Sequence, residues 1–185
     1  MLKHLARGLL KLFGWKLIEP DAFPARAVLV GYPHTSNWDG VIALLVKWAL
    51  GLDARWVGKD TLFRGPLNGI MRRLGGIPID RSARHGFVAQ MTAEFASRQG
   101  FLLVMAPEGT RSLTPGWKSG FYRIALAANV PVALAFVDYP RREAGILTYL
   151  TMTGDPATDI AAIATHYEGR QGKRPELAAP VRWLD

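Results

Sequence analysis

Short, continuous apolar runs separated by longer helical stretches restrict the fold of this chain more than any other feature. Three runs, at 28–31, 101–105 and 130–137, have the pattern of strands covered on both faces, which is typical of parallel sheets. Further strands are predicted at 55–59, 77–79 and 145–153, and helices at 41–52, 66–74, 86–98, 118–128 and 158–167. The alternation predicts an α/β fold, a single-domain layered sandwich whose largely parallel mixed sheet is flanked by helices.

The loops that follow the predicted strands carry the polar residues that are candidates for catalysis or ligand binding. In open α/β sheets, ligands bind beyond the carboxyl ends of the strands. His34, Lys59, Arg81 and Glu108 each come shortly after a predicted strand. We therefore expect these four side chains to converge on one edge of the sheet.

The charge balance indicates the kind of partner. The 185 residues hold 23 Lys and Arg against 15 Asp and Glu, a net charge of +8, which favours nucleic acid, an anionic membrane or a phosphorylated small molecule. The chain has no Cys and four scattered His, so disulfides and thiolate sites are excluded and no metal site is predicted. Neither a transmembrane helix nor a signal peptide matches the hydropathy pattern.

Residues 2–13 have the pattern of a basic amphipathic helix. On a helical wheel, Lys3, His4, Arg7 and Lys11 lie on one face and the apolar residues share the other broad face. Such a helix suits the surface of an anionic bilayer, although an ordinary surface helix packed on the core gives the same pattern. Residues 1–19 are therefore interpreted as an N-terminal helical segment, and 20–185 as the main domain.

His34 and Asp39 form the first candidate catalytic pair. A His can accept a proton from a hydroxyl near neutral pH, and a carboxylate on its other nitrogen fixes the tautomer and stabilises the imidazolium. A spacing of five residues is weak evidence alone. The alternative is that Asp39 caps the helix that follows and His34 is an ordinary turn residue.

The second candidate is the loop Glu108-Gly109-Thr110-Arg111. Gly permits close approach of the backbone, and Arg can bind a phosphate with two parallel hydrogen bonds. A capped turn with a solvated Arg is the alternative interpretation. Between Lys59 and Arg81 the cations are interleaved with Gly and Pro, and these could contact an anion or form a solvated basic face.

Several common motifs are missing. The chain has no G-x-S-x-G elbow of serine hydrolases, no P-loop and no Rossmann glycine fingerprint. Serine-hydrolase chemistry and both common nucleotide-binding loops are therefore not predicted.

Four ordered blocks resemble the glycerolipid (lysophospholipid) acyltransferase family, which includes bacterial 1-acylglycerol-3-phosphate acyltransferases. The run from His34 to Asp39 is similar to the first block, H-x-S-x-x-D, and the run from Pro107 to Ser112 matches the third closely. The second block corresponds to 59–66 and 69–81, and the fourth to 130–136. One departure is Pro33, which stands where the family usually has Asn before the His.

The resemblance implies an O-acyltransferase domain over 20–185 that moves a fatty acyl group from acyl-CoA or acyl-ACP to a lysolipid. His34 and Asp39 would be the catalytic residues. The acceptor's phosphate would be bound by Lys59, Arg81, Glu108, Gly109, Thr110 and Arg111. Since Glu108 cannot bind a phosphate while ionised, it is expected to contact a hydroxyl or to position Arg111.

The resemblance also implies where and with what the protein works. No metal or prosthetic group is expected, and the enzyme would lie peripherally on the cytoplasmic face of the inner membrane. The first candidate acceptor is 1-acylglycerol-3-phosphate, and lyso-ornithine lipid and lysophosphatidylglycerol are alternatives. A nucleic-acid-binding module is disfavoured, because the Arg residues are dispersed among loops rather than along one recognition helix.

Overall fold

A single seven-stranded sheet organises the molecule. The computed structural model describes residues 1–79 and 86–184. The strands are β1 (Lys16–Ile18), β2 (Arg26–Tyr32), β3 (Ala54–Lys59), β4 (Gly76–Ile79), β5 (Phe101–Met105), β6 (Val132–Asp138) and β7 (Glu143–Leu150). Their order is β1-β7-β6-β2-β5-β3-β4, and all neighbours are parallel except β6 and β7. The predicted single-domain α/β fold with a largely parallel mixed sheet is confirmed.

Helices cover both faces of this sheet. They are α1 (Leu2–Leu12), α2 (Asn37–Leu50), α3 (Asn68–Arg73), α4 (Phe87–Ser97), α5 (Gly120–Ala128) and α6 (Pro156–Tyr167), with short 3₁₀ turns at Asp60–Phe63, Gly65–Leu67 and Pro175–Leu177. In β2, Val28, Val30 and Tyr32 pack against α4, α5 and α6. The intervening Ala27 and Leu29 pack against α1 and α2. Successive residues of a strand point to opposite faces of the sheet, and here both faces are covered. The central strands are therefore continuous apolar runs.

The first turn of α2 lies further towards the N-terminus than predicted. The helix begins at Asn37 rather than at 41, because Ser36 and Asp39 form a capping box. The Ser36 side-chain oxygen accepts a hydrogen bond from Trp38 N–H at 3.2 Å, and the Asp39 carboxylate accepts one from Ser36 N–H at 2.8 Å. The capping role considered for Asp39 is therefore confirmed, and it places the carboxylate beside the His34 side chain.

The N-terminal segment differs from the predicted helix in extent. Helix α1 ends at Leu12, and Gly14, with φ of +73°, allows the chain to turn out of the helix. Lys16–Ile18 then forms β1 at the edge of the sheet, so 1–19 is a helix followed by a strand. No helix in the described part of the chain is both long and apolar enough to span a bilayer.

Only part of the broad apolar face of α1 is buried. Ala6 and Leu10 pack into the core beneath α2. Several other large apolar side chains of this region are exposed, and we refer to them as the N-terminal apolar surface: Leu2, Leu5, Leu12 and Phe13 with Trp38 and Val41 of α2. The helix thus packs on the core and also exposes an apolar stripe.

Candidate active site

The candidate site forms where three neighbouring strands end. β2 lies between β5 and β6, and all three run in the same direction. His34 follows β2, Glu108 follows β5, and Tyr139 follows β6 directly. The sheet topology therefore delivers three loops, widely separated in sequence, to one edge.

His34 and Asp39 are brought together by the tight turn between β2 and α2. The distance from His34 Nδ1 to Asp39 Oδ2 is 3.4 Å, an ion-pair contact that is somewhat longer than the usual N–H···O hydrogen bond. The His34 side chain is 28% exposed, whereas that of Asp39 is only 5% exposed. The imidazole can thus reach a substrate while the carboxylate stays behind it, as a general base and its orienting group require.

Asp39 is fixed by a full set of donors. Its Oδ2 atom accepts hydrogen bonds from the main-chain N–H groups of Thr35, at 2.7 Å, and Ser36, at 2.8 Å. Its Oδ1 atom accepts a third from the Tyr139 hydroxyl at 2.7 Å. The Tyr139 ring is itself held edge-on by Trp15, at 5.3 Å between ring centroids. The orientation of the carboxylate is therefore set by the loop after β2 and by Tyr139, which follows β6.

Asp39 is held in its ionised form. Burial alone would raise its pKa, but the contact with His34 and the hydrogen bonds from Tyr139 and the Ser36 backbone outweigh burial and lower the pKa below the usual aspartate value. A negative charge behind the imidazole stabilises the imidazolium that forms when His34 takes a proton. An ionised carboxylate in this position is what a histidine general base requires of its orienting group.

Glu108 differs from Asp39 in position and in the direction of its pKa shift. It is only 1% exposed, and its two carboxylate oxygens accept hydrogen bonds from His34 N–H at 2.7 Å and Ala179 N–H at 3.0 Å. Burial raises the pKa of Glu108, and the two hydrogen bonds only partly offset this effect. Opposite shifts in two adjacent carboxylates indicate different roles, and Glu108 holds main chain on both sides of the site.

The rest of the Glu108 loop is more open. Gly109 has φ of +67°, and a Cβ there would lie only 3.0 Å from Lys118 Nζ. Thr110 Oγ1 accepts a hydrogen bond from Ser112 N–H at 3.3 Å. The exposed guanidinium of Arg111 donates a hydrogen bond to the Asn37 side chain in the first turn of α2. The predicted phosphate-binding loop is thus adjacent to the His34 turn.

The remaining predicted cations lie further away or outside the described residues. Lys59 is exposed at the end of β3, two strands from β2, which corresponds to about 10 Å across the sheet. Arg81 lies outside the described residues. A surface depression of about 670 Å³ is lined by Pro66, Gly69, Ile70, Arg72 and Arg73, beside α3 rather than at His34.

Within 1–79 and 86–184, no group of three or more His, Asp or Glu side chains could hold a metal ion. The chemistry that this arrangement supports is proton transfer by His34, with cations nearby for an anionic substrate.

Comparison with known proteins identifies the family. The Acyltransferase family model matches residues 16–135, which include His34, Asp39 and the whole Glu108 loop. The chain belongs to the acyltransferase family.

The structure of this acyltransferase is similar to a solved member. The crystal structure of the 1-acyl-sn-glycerophosphate (LPA) acyltransferase PlsC from Thermotoga maritima matches with a TM-score of 0.61 and 15% sequence identity. The match covers 93% of this chain and 80% of that chain. No curated protein sequence matches this chain significantly. The likeness to PlsC supports the fold assignment.

Two parts of the acyltransferase site were missed from the sequence. Tyr139 directly follows a predicted buried strand, as His34 does, so the same strand-end rule could have indicated it. The second part is the C-terminal segment, residues 170–179, which lies beyond the matched residues 16–135. Ala179 binds Glu108, and Arg174 N–H donates a hydrogen bond to Thr35 Oγ1 at 3.2 Å. Nothing in the local sequence pattern signals these contacts.

Proposed function

We propose that this acyltransferase moves a fatty acyl group from an acyl thioester, acyl-CoA or acyl-ACP, to the free hydroxyl of a lysolipid. The first candidate acceptor is 1-acylglycerol-3-phosphate, the lysolipid for which the structurally similar PlsC is named. The observation that carries the proposal is the pairing of a part-exposed His34 with a buried, ionised Asp39 in a chain of this family.

In the proposed mechanism, His34 accepts the proton of the lysolipid hydroxyl through Nε2 while Nδ1 faces Asp39. The hydroxyl oxygen attacks the thioester carbonyl, so that a C–O bond forms and the C–S bond breaks. The proton on His34 then passes to the departing sulfur. Because a thiol has a pKa of about 8.5, its thiolate leaves with little help from an acid.

The cations near His34 are proposed to bind the acceptor's phosphate. Arg111 is exposed and adjacent to the first turn of α2, and Lys59 lies along the same sheet edge. Gly109, Thr110 and Arg81 complete the proposed set. Glu108 is assigned a positioning role, because its buried carboxylate holds the His34 backbone and is almost inaccessible to a substrate.

The N-terminal apolar surface is proposed to dock on an anionic membrane, at the cytoplasmic face of the inner membrane. It places exposed Leu and Phe side chains beside Lys3, His4 and Lys11 on α1. Apolar side chains that enter the interface, with basic residues beside them, are typical of peripheral helices on anionic lipid. Docking there would bring a lysolipid towards the turn between β2 and α2.

The test is an acyl-transfer assay with purified full-length protein. Acyl-CoA and acyl-ACP are each supplied with 1-acylglycerol-3-phosphate, lysophosphatidylglycerol or lyso-ornithine lipid, and thiol release and the diacyl product are both measured. We expect a diacyl product from a lysolipid, with 1-acylglycerol-3-phosphate preferred. Thiol release without any diacyl product would contradict the proposal, and preference for a phosphate-free acceptor would contradict the proposed phosphate-binding set.

A further inference from the structure

A basic C-terminal segment is fixed beside the His34 turn. Main-chain hydrogen bonds hold it at three points. Tyr139 N–H donates to Gln171 O at 3.0 Å, Arg174 N–H donates to Thr35 Oγ1 at 3.2 Å, and Ala179 N–H donates to Glu108. The segment therefore contacts both the loop after β2 and the loop after β6.

The contact at Gly172 is too close for any side chain. A Cβ there would lie 2.5 Å from Thr35 Oγ1 and 3.2 Å from Pro33 Cβ. Since the backbone must pass this close, the two residues that follow, Lys173 and Arg174, are held immediately beside the residues flanking His34. This is a fixed position in the fold rather than a loose basic tail.

The cations of this segment fall into two groups. Arg170 is structural, because it forms ion pairs with the buried Asp138 at 3.3 Å and with Glu143 at 2.9 Å. Lys173 and Arg174 form no ion pair with a carboxylate in the described ranges, 1–79 and 86–184. Both are exposed, so an anionic ligand can reach them.

Lys173 and Arg111 contact neighbouring residues in the first turn of α2. Lys173 Nζ lies 5.2 Å from the ring centroid of Trp38, within the range of a cation–π contact. Arg111, which follows β5, contacts the neighbouring Asn37. The C-terminal segment also contacts Tyr139 after β6 and Glu108 after β5, so cations from two separate parts of the chain meet at the turn that holds His34. The carboxylates nearest to His34, Asp39 and Glu108, are both buried.

We propose that Lys173 and Arg174 form a second anion site that binds a phosphate group of one of the two substrates. The proposal rests on the proposed function, because acyl-CoA and 1-acylglycerol-3-phosphate both carry phosphates and must meet at His34. Arg111 and Lys59 come from the ends of β5 and β3, whereas Lys173 and Arg174 come from the C-terminal segment beside Thr35. Arg and Lys are the side chains best suited to phosphate oxygens.

The experiment measures equilibrium binding, so its outcome does not depend on turnover. Calorimetry on the full-length protein uses four probes: coenzyme A and its phosphate-free counterpart pantetheine, and 1-acylglycerol-3-phosphate and the corresponding monoacylglycerol. The variants are Lys173→Ala with Arg174→Ala, and Arg174→Lys as the charge-conserving form. Both alanine changes keep the main-chain hydrogen bond to Thr35. The matched control is Arg123→Ala, an exposed Arg on α5 with no carboxylate ion pair in the described residues.

We expect the double alanine variant to bind one phosphate-bearing probe about tenfold or more weakly, while its phosphate-free counterpart is unaffected. The control should bind like the wild type, and Arg174→Lys should retain much of the affinity. The pair of probes that shows the effect identifies the substrate whose phosphate is bound. Unchanged binding of both phosphate-bearing probes, or equal losses with and without phosphate, would overturn the proposal. Binding without acyl transfer would count against the proposed function alone.

Discussion

Replacing Asp39 by Asn removes a charge from the candidate site with little change of shape. The amide oxygen can still accept the hydrogen bonds of Thr35 and Ser36, and the Tyr139 hydroxyl can accept from the amide nitrogen. The loop and the first turn of α2 should therefore persist. What is lost is the negative charge 3.4 Å from His34 Nδ1.

The size of the effect follows from that distance. Two unit charges 3.4 Å apart interact by about 5 kcal/mol at an effective dielectric constant of about 20. Water reaches the part-exposed His34 and weakens the interaction, so we expect kcat to fall by about 10²–10⁴. KM should change by less than about threefold, because the buried Asp39 side chain makes no contact that binds substrate.

The assay is initial-rate thiol release from acyl-CoA with 1-acylglycerol-3-phosphate, together with thermal unfolding of each variant. Asp53→Asn is the matched control, since this Asp lies just beyond the other end of α2 and its side chain is 83% exposed. The control should keep its kcat within about twofold. If Asp39→Asn unfolds like the wild type and keeps kcat within about fivefold, the negative charge of Asp39 does not assist His34.

Three further changes separate chemistry, stability and membrane binding. Tyr139→Phe removes the 2.7 Å hydrogen bond to the Asp39 carboxylate, so kcat should fall about tenfold with KM unchanged. The acidic limb of the pH–rate profile should also move to higher pH. Asp159→Asn replaces a buried carboxylate that accepts hydrogen bonds from Tyr122 and the 153–154 loop, so the free energy of unfolding should fall by about 1.5–3 kcal/mol with kcat unchanged. Leu5→Ser with Leu12→Ser should reduce sedimentation with anionic vesicles.

Each of these changes has a result that would contradict it. An unshifted pH–rate profile in Tyr139→Phe would mean that the Tyr139 hydroxyl does not act through Asp39 and His34. Hydrogen bonding outweighs burial and lowers the Asp159 pKa below its usual 3.8, so the stability it contributes above that value is lost as the pH falls through the lowered pKa. If the stability of Asp159→Asn fell at acidic pH just as that of the wild type does, Asp159 would not be the source of this loss. Vesicle binding that falls equally in Leu126→Ser, an exposed Leu on α5, would argue against a specific surface.

The strand ends could be predicted from the sequence because burial on both faces leaves a local trace. Continuous apolar runs mark β2, β5 and β6, and parallel strands bring the loops that follow them to one edge of the sheet. The early start of α2 was missed since its first turn is polar, although Ser36 and Asp39 have capping-box spacing. Strand β1 has only three residues, too few to show a period.

The contacts that tune the site could not be predicted, because they join residues far apart in sequence. Tyr139 binds Asp39 across 100 positions, and Glu108 binds Ala179 across 71. Before folding, Glu108 in a Gly-containing loop gives no sign that it will be buried. The opposite pKa shifts of Asp39 and Glu108 depend on these distant partners and on burial.

The most direct test of His34 as the general base is acyl transfer by the His34→Ala variant. Purified wild-type and variant protein are given acyl-CoA and 1-acylglycerol-3-phosphate, and the diacyl product is quantified, with thermal unfolding as the check on the fold. We expect wild-type protein to form the ester and the folded His34→Ala variant to be at least about 10²-fold slower. Normal turnover by the folded variant would contradict His34 as the general base.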